Sequence, residues 1–127
     1  MALSLVLKDS TMQDWNDYLR SLSPALRELR GGSTDVMKGF SAIAQAALKP
    51  QALDTKTKEL IALAISVAVR CDDCIGFHAE GALKHGATRE EIFETLGTAI
   101  YLGAGPSVMY AAHAIEAFDQ LGKKEAA

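Results

Sequence analysis

The chain has 127 residues, of which 49% are apolar and 23% are charged, and its formal net charge is -3. A chain of this size and balance is expected to form one soluble globular domain, and its composition excludes a disordered or fibrous protein. The acidic charge and the lack of a Lys/Arg run argue against nucleic acid as a partner. The longest apolar run, 60–69, is shorter than the about 20 residues that a bilayer requires, so no membrane span is expected.

The N-terminal part of the chain predicts a helical arm. Residues 1–7 are apolar but have neither a basic leading segment nor a small-residue cleavage site, so we expect a cytoplasmic protein. Apolar residues then recur with the period of a helix at Trp15, Tyr18, Leu19, Leu22, Leu26 and Leu29. Ser23 before Pro24 is typical of a helix cap, which divides the arm into two short helices that end at Gly31 and Gly32.

The following segments predict the helices of the domain body. Residues 33–48 carry one apolar stripe, which indicates an amphipathic surface helix. Another helix opens near Asp54, and because it is apolar nearly all round from 60 to 69, we expect it at the centre of the fold. The next helix, 71–84, ends at Gly86, since glycine readily adopts the left-handed conformation that closes helices.

The C-terminal part predicts two more helices. Thr88 and Glu91 have the spacing of a capping box at the start of the first one. The glycines of 103–106 predict a break, after which Pro106 starts a last helix that runs to about Leu121 with apolar residues on two faces. No stretch shows the alternation of a strand, so the sequence predicts an all-α fold of about six helices.

These elements are expected to form one domain that assembles with copies of itself. We treat 1–127 as a single domain, with a core of about 33–121 and a helical arm of 1–32. The apolar faces of the helix around 60–69 and of the last helix exceed what one small domain readily covers. Such surfaces usually mark obligate interfaces, so we expect a homo-oligomer.

The two cysteines of the chain, Cys71 and Cys74, lie at a predicted helix start. The free amide groups and the positive dipole end of that helix favour a thiolate there. A position at a helix N-terminus or within a Cys-x-x-Cys motif lowers the pKa of a thiol, which makes the cysteine reactive at neutral pH. Arg70 could add to this effect, whereas Asp72 and Asp73 oppose it. In a chain expected to be cytoplasmic, the pair indicates redox or metal chemistry rather than a structural bridge.

His78 follows Cys74 by about one helical turn, so the two side chains are expected to share a face. An imidazole in that position can take or hold the thiol proton. Cys71, one turn before Cys74, would lie within disulfide range of the oxidised sulfur. The spacing therefore predicts a nucleophile, a resolving thiol and a base.

Glu59 is the carboxylate that could orient His78. It lies at the entry to the apolar helix, although a carboxylate in the first turns of a helix can also be a solvated charge. If the chain turns back after Val69, Glu59 lies about 15 Å before that end and His78 about 10 Å into the returning helix, at ~1.5 Å per residue. Side chains or one water could bridge the ~5 Å difference. The result would be a carboxylate–imidazole–thiol triad.

The remaining histidines are not assigned to this site. His85 has no cysteine partner at helical spacing and is interpreted as part of a helix C-terminus, where a partly cationic ring suits the dipole. His113 likewise has no such partner and is interpreted as a packing or interface residue.

Taken together, these residues resemble a known family. The residues that carry the resemblance are Glu59 and Leu60, the motif Cys71-x-x-Cys74-x-x-x-His78, and then Ala79, Gly86 and Ala87. From about 53 to 121 the sequence is similar to the carboxymuconolactone decarboxylase superfamily, and within it to the alkylhydroperoxidase D-like group that carries paired cysteines. Members often have a histidine immediately before the second cysteine, and this chain has Asp73 there.

The resemblance implies an all-helical homotrimer or homohexamer that reduces hydroperoxides or relays electrons to a peroxiredoxin. It implies that Cys74 attacks and Cys71 resolves, with His78 and Glu59 as the proton relay. Electrons would come from a dithiol protein, either thioredoxin-like or dihydrolipoyl-bearing. We therefore predict a peroxidase-type oxidoreductase with peroxiredoxin activity that needs no bound cofactor and no metal.

Other interpretations stay open from the sequence. A zinc site would use both cysteines and His78, but it needs a fourth ligand such as Asp73 or Glu59. The cysteines could also be buried packing residues. A decarboxylase-like lyase would use Glu59 and His78 on a small acidic lactone, whereas a non-catalytic redox adaptor would exchange disulfides without consuming hydroperoxide.

Overall fold

The computed structural model describes residues 11–126, and within that range all regular structure is helical. Six helices follow one another there: α1 Trp15–Ser21, α2 Ser23–Gly32, α3 Thr34–Leu48, α4 Thr55–Ala68, α5 Asp72–Lys84 and α6 Arg89–Ala126. The all-α prediction is confirmed. Residues 1–10 and 127 lie outside the described residues, and so does the apolar start at 1–7. None of the helices between 11 and 126 is long and apolar enough to cross a membrane.

The core forms where α4, α5 and α6 pack against one another. Its fully buried apolar side chains include Leu63, Val67, Ile75, Ala79, Ala82 and Ile92. The prediction that α4 lies at the centre is confirmed, because it contacts both of the other core helices. One row of its apolar surface is nevertheless uncovered in the single chain, since Ile61, Ile65 and Val69 are 45%, 56% and 64% exposed.

Side-chain caps define several helix ends as predicted. Asp54 accepts a hydrogen bond from the backbone N–H of Thr57 at 2.8 Å and so caps the start of α4. At the start of α6, the Thr88 N–H donates to Glu91 Oε1 at 2.8 Å, and the Glu91 N–H donates to Thr88 Oγ1 at 3.1 Å. This reciprocal pair confirms the capping box. Gly86, with a φ of 85°, confirms the left-handed residue after α5.

The prediction that Ser23 caps the second helix of the arm is wrong. Ser23 is the first residue of α2, Leu22 precedes it, and no side chain makes a capping hydrogen bond. Leu22 has a φ of -76° and a ψ of -23°, which is close to helical geometry. The chain therefore passes from α1 into α2 without the extended residue from which a capping side chain reaches back.

Helix α1 attaches the arm to the core. The Trp15 side chain is fully buried, and its indole Nε1–H donates to Glu116 Oε1 of α6 at 3.0 Å. The Trp15 backbone N–H donates to Gln120 Oε1 at 2.7 Å. Leu19 packs directly on α5 at Gly76, where a Cβ would come within 2.6 Å of Leu19 Cδ2. A side chain at position 76 would therefore require Leu19 to shift.

Helices α2 and α3 contribute no buried residue to this core. The predicted amphipathic helix is present as α3, but its apolar stripe is largely uncovered in the single chain. Val36, Phe40 and Ile43 on this stripe are 72%, 62% and 67% exposed. Apolar surface of this kind on a soluble domain usually marks an interaction site.

The predicted break at 103–106 is present as a kink, at which the two helical parts of α6 meet. Ala104 has a φ of 53° and a ψ of -139°, far from helical values, whereas helical structure continues on both sides. Gly103 allows Ser107 to approach the chain at this point, since a Cβ on Gly103 would overlap the Ser107 side chain. The kink therefore concentrates the departure from helical geometry at one alanine.

We expect Ala104→Gly to raise the free energy of unfolding by about 1 kcal/mol, because a positive φ costs residues with a Cβ about 1–2 kcal/mol and glycine reaches it freely. Thermal unfolding followed by circular dichroism should show a midpoint higher by ~2–5 °C. The matched control is Ala112→Gly, at an exposed helical position of α6. That change should lower stability by about 1 kcal/mol. A lower midpoint for Ala104→Gly would contradict this account of the kink.

Candidate active site

The link between α4 and α5 places the first cysteine at a helix N-terminus. Arg70 turns the chain with a φ of 61°, and Cys71 follows in an extended conformation as the N-cap of α5. The Cys71 backbone N–H donates to the Ser66 carbonyl at 3.0 Å, which ties the link to the last turns of α4. The predicted position of the motif, at the start of a helix that folds back on α4, is confirmed.

Cys71 and Cys74 are joined in a disulfide, with their Cα atoms 5.2 Å apart. The Cys74 backbone N–H donates to Cys71 Sγ at 3.2 Å, so this sulfur lies against the free amide groups of the first turn. Both residues are half-buried. When the bond is reduced, the amide groups and the positive dipole end of α5 favour a thiolate at this position.

Glu59 and His78 meet across α4 and α5. The His78 Nδ1–H donates to Glu59 Oε1 at 2.8 Å. Glu59 is only 7% exposed, which excludes the alternative that it is a solvated charge at the start of α4. A carboxylate that holds Nδ1–H fixes the tautomer of the imidazole and leaves Nε2 able to accept a proton. His78 also lies one turn after Cys74 on α5, so helical spacing places the ring and that sulfur on the same face.

The Glu59 carboxylate lies directly against the backbone of α5 at Gly81. A Cβ at Gly81 would overlap Glu59 Oε2 and its carboxyl carbon, so any larger residue would require the carboxylate to move. Sequence analysis did not identify Gly81. The signal that could have indicated it is a glycine inside a helix, a position that usually has a packing or functional reason.

The two aspartates between the cysteines also have partners that sequence analysis did not find. Asp72 Oδ1 accepts a hydrogen bond from the His113 Nδ1–H at 2.8 Å, although the sequence indicated only a packing or interface residue at His113. Asp73 accepts a hydrogen bond from the Tyr18 hydroxyl of α1. Both contacts join segments that are distant in sequence, so helical spacing could not indicate them.

The contact with Asp73 also changes the chemistry of the phenol. The hydrogen bond to Asp73, followed by burial and the negative charge of that carboxylate, raises the pKa of Tyr18 to about 12. The phenolate form is disfavoured because it would lie next to a carboxylate and lose the hydrogen bond. Tyr18 therefore stays protonated, and a hydrogen-bond donor, throughout the neutral pH range.

Residues 34–117 match the profile of the carboxymuconolactone decarboxylase family. The chain belongs to this family. All four residues of the candidate site, Glu59, Cys71, Cys74 and His78, fall within the matched part, so the resemblance noted in the sequence is confirmed. Two relatives are uncharacterised proteins of Cupriavidus necator and Paracoccus denitrificans. The first is 45% identical over 67% of this chain and 75% of its own length. The second is 33% identical over 78% of this chain and 89% of its own length.

Solved structures of the carboxymuconolactone decarboxylase family have the same fold. A family protein of Legionella pneumophila is 50% identical, with a TM-score of 0.83 over 85% of this chain and 96% of its own. A family protein of Thermotoga maritima is 33% identical, with a TM-score of 0.77 over 86% of this chain and 93% of its own. The description of the Thermotoga protein names a possible involvement in the antioxidative response.

Three further features of this family member concern the rest of the site. Tyr18 and the helix α1 that carries it precede the residues that match the family profile. Between residues 11 and 126, no group of three or more His, Cys, Asp or Glu side chains is arranged to hold a metal ion. His85 lies at the C-terminus of α5, as expected, where its Nδ1–H donates to the Gly81 carbonyl at 2.9 Å.

Proposed function

We propose that this member of the carboxymuconolactone decarboxylase family is a thiol-dependent hydroperoxide reductase with Cys71 and Cys74 as its redox pair. The observation that supports it most directly is the 2.8 Å contact between buried Glu59 and His78, which lies on the helix whose N-terminus holds the disulfide. A reducible sulfur pair beside a carboxylate-oriented imidazole suits nucleophilic thiol chemistry. The antioxidative role named for the Thermotoga relative agrees with this proposal.

In the proposed cycle, His78 takes the proton of the Cys74 thiol, and the thiolate attacks the terminal oxygen of a hydroperoxide. The O–O bond breaks, the leaving alkoxide receives the proton from the imidazolium, and alcohol departs while Cys74 becomes a sulfenic acid. The Cys71 thiolate then attacks the Cys74 sulfur, so that the disulfide forms and hydroxide takes a proton and leaves as water. No bound cofactor is needed, because the two thiols supply both electrons.

A dithiol protein is proposed to return the electrons by thiol–disulfide exchange, after which that protein carries the disulfide. A thioredoxin-like protein and a dihydrolipoyl protein both have the required chemistry. In a variant of the same cycle, the reduced pair passes its electrons to a peroxiredoxin. We place this cycle in the cytoplasm, because that compartment keeps dithiol proteins reduced.

We expect Cys74→Ser to abolish the consumption of an organic hydroperoxide in the presence of a dithiol reductant, since Cys74 is the attacking thiol of the proposed cycle. His78→Ala should lower the rate about 100-fold, the typical contribution of a positioned acid–base group. Cys71→Ser should consume a single equivalent of hydroperoxide without reductant, because Cys74 can be oxidised but not resolved. Turnover that survives Cys74→Ser would contradict the proposal.

A lyase of the decarboxylase type is the second candidate, because the Glu59–His78 pair is complete without the sulfur atoms. Its substrate would be a small acidic lactone, and its activity would survive the replacement of both cysteines. A redox adaptor would instead exchange its disulfide with a dithiol protein and consume no hydroperoxide. Hydroperoxide turnover by the parent protein and the activities of the cysteine variants together distinguish the three functions.

We also propose that the protein works as a homotrimer or homohexamer. The apolar stripe of α3 is uncovered in the single chain, and so is the outer row of α4. Near the kink of α6, Tyr101 and Leu102 are 84% and 81% exposed. Burial of these surfaces between copies of the chain would remove a large apolar area from water, as in obligate interfaces.

We expect Phe40→Glu to dissociate this assembly, because a charge placed in an apolar interface is costly to desolvate. Size-exclusion chromatography with light scattering should show an oligomer for the parent and smaller species for the variant. Phe40→Leu keeps the site apolar and should remain assembled. A parent protein that elutes as a monomer would contradict the proposal.

A further inference from the structure

The two carboxylates between the cysteines are each held by a donor from a helix other than α5. Asp73 accepts from the Tyr18 hydroxyl of α1, and Asp72 accepts from the His113 Nδ1–H of α6 at 2.8 Å. The Asp72 and His113 side chains are 29% and 28% exposed, so their contact is partly shielded from water. The proposed cycle assigns no role to either donor.

Both donors are themselves held in place. Tyr18 packs edge-to-face on Trp15, with the ring centroids 5.8 Å apart, and Trp15 is fixed by its hydrogen bonds to α6. His113 lies against the ring of Tyr110, with the centroids 4.7 Å apart. Neither contact is thus made by a freely rotating surface side chain. The packing of α1 and α6 aims both donors at the first turn of α5.

The position of the two carboxylates gives these contacts a chemical consequence. Asp72 and Asp73 lie in the first turn of α5, between the two cysteines in sequence, where their negative charges oppose the formation of a thiolate. A hydrogen bond donated to a carboxylate draws negative charge toward the donor and is stronger than a neutral hydrogen bond. Tyr18 and His113 therefore reduce the repulsion between the two carboxylates and a thiolate.

We propose that Tyr18 and His113 are positioning residues of the redox pair, which act through Asp73 and Asp72 to increase the thiolate fraction of the reduced enzyme. The proposal rests on the function of Cys71 and Cys74 as a redox pair, but it does not depend on a hydroperoxide as the substrate. It also gives the N-terminal arm a part in the chemistry, because α1 supplies the Tyr18 hydroxyl.

The test for Tyr18 measures the reduced protein itself. Thiolate absorbance is followed against pH, and the disulfide–dithiol equilibrium is measured in glutathione buffers. We expect Tyr18→Phe, which removes only the hydroxyl, to lower the thiolate fraction at neutral pH about two- to fivefold, and Asp73→Asn to raise it. In the Asp73→Asn background, Tyr18→Phe should have no further effect. If Tyr18→Phe leaves the thiolate fraction of the parent unchanged, or changes it equally in both backgrounds, the role of Tyr18 is overturned.

The test for His113 has the same design and adds a rescue. His113→Phe should lower the thiolate fraction in the parent background but not in the Asp72→Asn background. His113→Asn should restore it, because the asparagine amide can donate from near the position of Nδ1. If His113→Asn fails to restore the thiolate fraction, or if His113→Phe still lowers it in the Asp72→Asn background, the effect is one of packing and the role of His113 is overturned. Normal thiol titrations without hydroperoxide turnover would instead contradict only the proposed peroxidase function.

Discussion

Glu59→Gln is expected to lower hydroperoxide turnover about 100-fold while the fold is retained, since the substitution keeps the shape and removes the charge. The neutral amide cannot stabilise the imidazolium that His78 forms in the cycle. Its NH₂ group can also turn toward the ring, which would favour the tautomer with Nδ1 as the acceptor. The rate of consumption of an organic hydroperoxide, compared with the far-ultraviolet circular dichroism of the same sample, tests both parts of this expectation.

Glu94→Gln is the matched control, because it makes the same chemical change at an exposed position of α6. It should leave turnover within about twofold of the parent, as is usual for surface changes. If Glu59→Gln also stays within that range while His78→Ala is inactive, His78 does not depend on the carboxylate. In that case Glu59 has no place in the proton relay.

Gly81→Ala should lower the free energy of unfolding by about 2–4 kcal/mol, although alanine favours a helix over glycine by about 1 kcal/mol. The added methyl group overlaps the buried carboxylate of Glu59 and pushes it from His78. The carboxylate then loses its hydrogen bond in a place that water does not readily reach. Turnover should fall at least about tenfold for the same reason. Urea unfolding and the hydroperoxide assay measure the two effects separately.

Gly97→Ala is the control for helix propensity, since a Cβ at Gly97 would meet no atom within 4 Å. This change should stabilise the protein by about 0.5–1 kcal/mol. A second comparison places Gly81→Ala in a Glu59→Ala background, where the overlap no longer exists. The cost of the glycine substitution should then nearly vanish, because the two residues interact directly. An unchanged cost would refute the steric explanation.

Local periodicity predicted most of the fold, because a helix is specified by contacts within one or two turns. The Thr88–Glu91 capping box and the left-handed Gly86 follow from such contacts, and the structure has both. The predicted Ser23 cap is absent because Leu22 keeps a nearly helical conformation, which the composition of the segment does not reveal. The predicted break before Pro106 is present as a kink, where Ala104 leaves helical geometry.

The amino-acid sequence by itself determined the part of the site that lies within one helix. The spacing of Cys71, Cys74 and His78 places them on adjacent turns wherever α5 packs. Glu59 could be added from the sequence because a single reversal between two helices brings it to His78.

Only the tertiary structure decided what surrounds these residues. Gly81 makes room for Glu59, and the donors Tyr18 and His113 reach the aspartates between the cysteines. These contacts depend on how α1, α4 and α6 pack against α5. Their residues lie too far apart in the chain for any helical period to relate them. Such neighbours are chosen by the packing of whole helices, because burial of apolar surface sets the distance and rotation at which two helices meet.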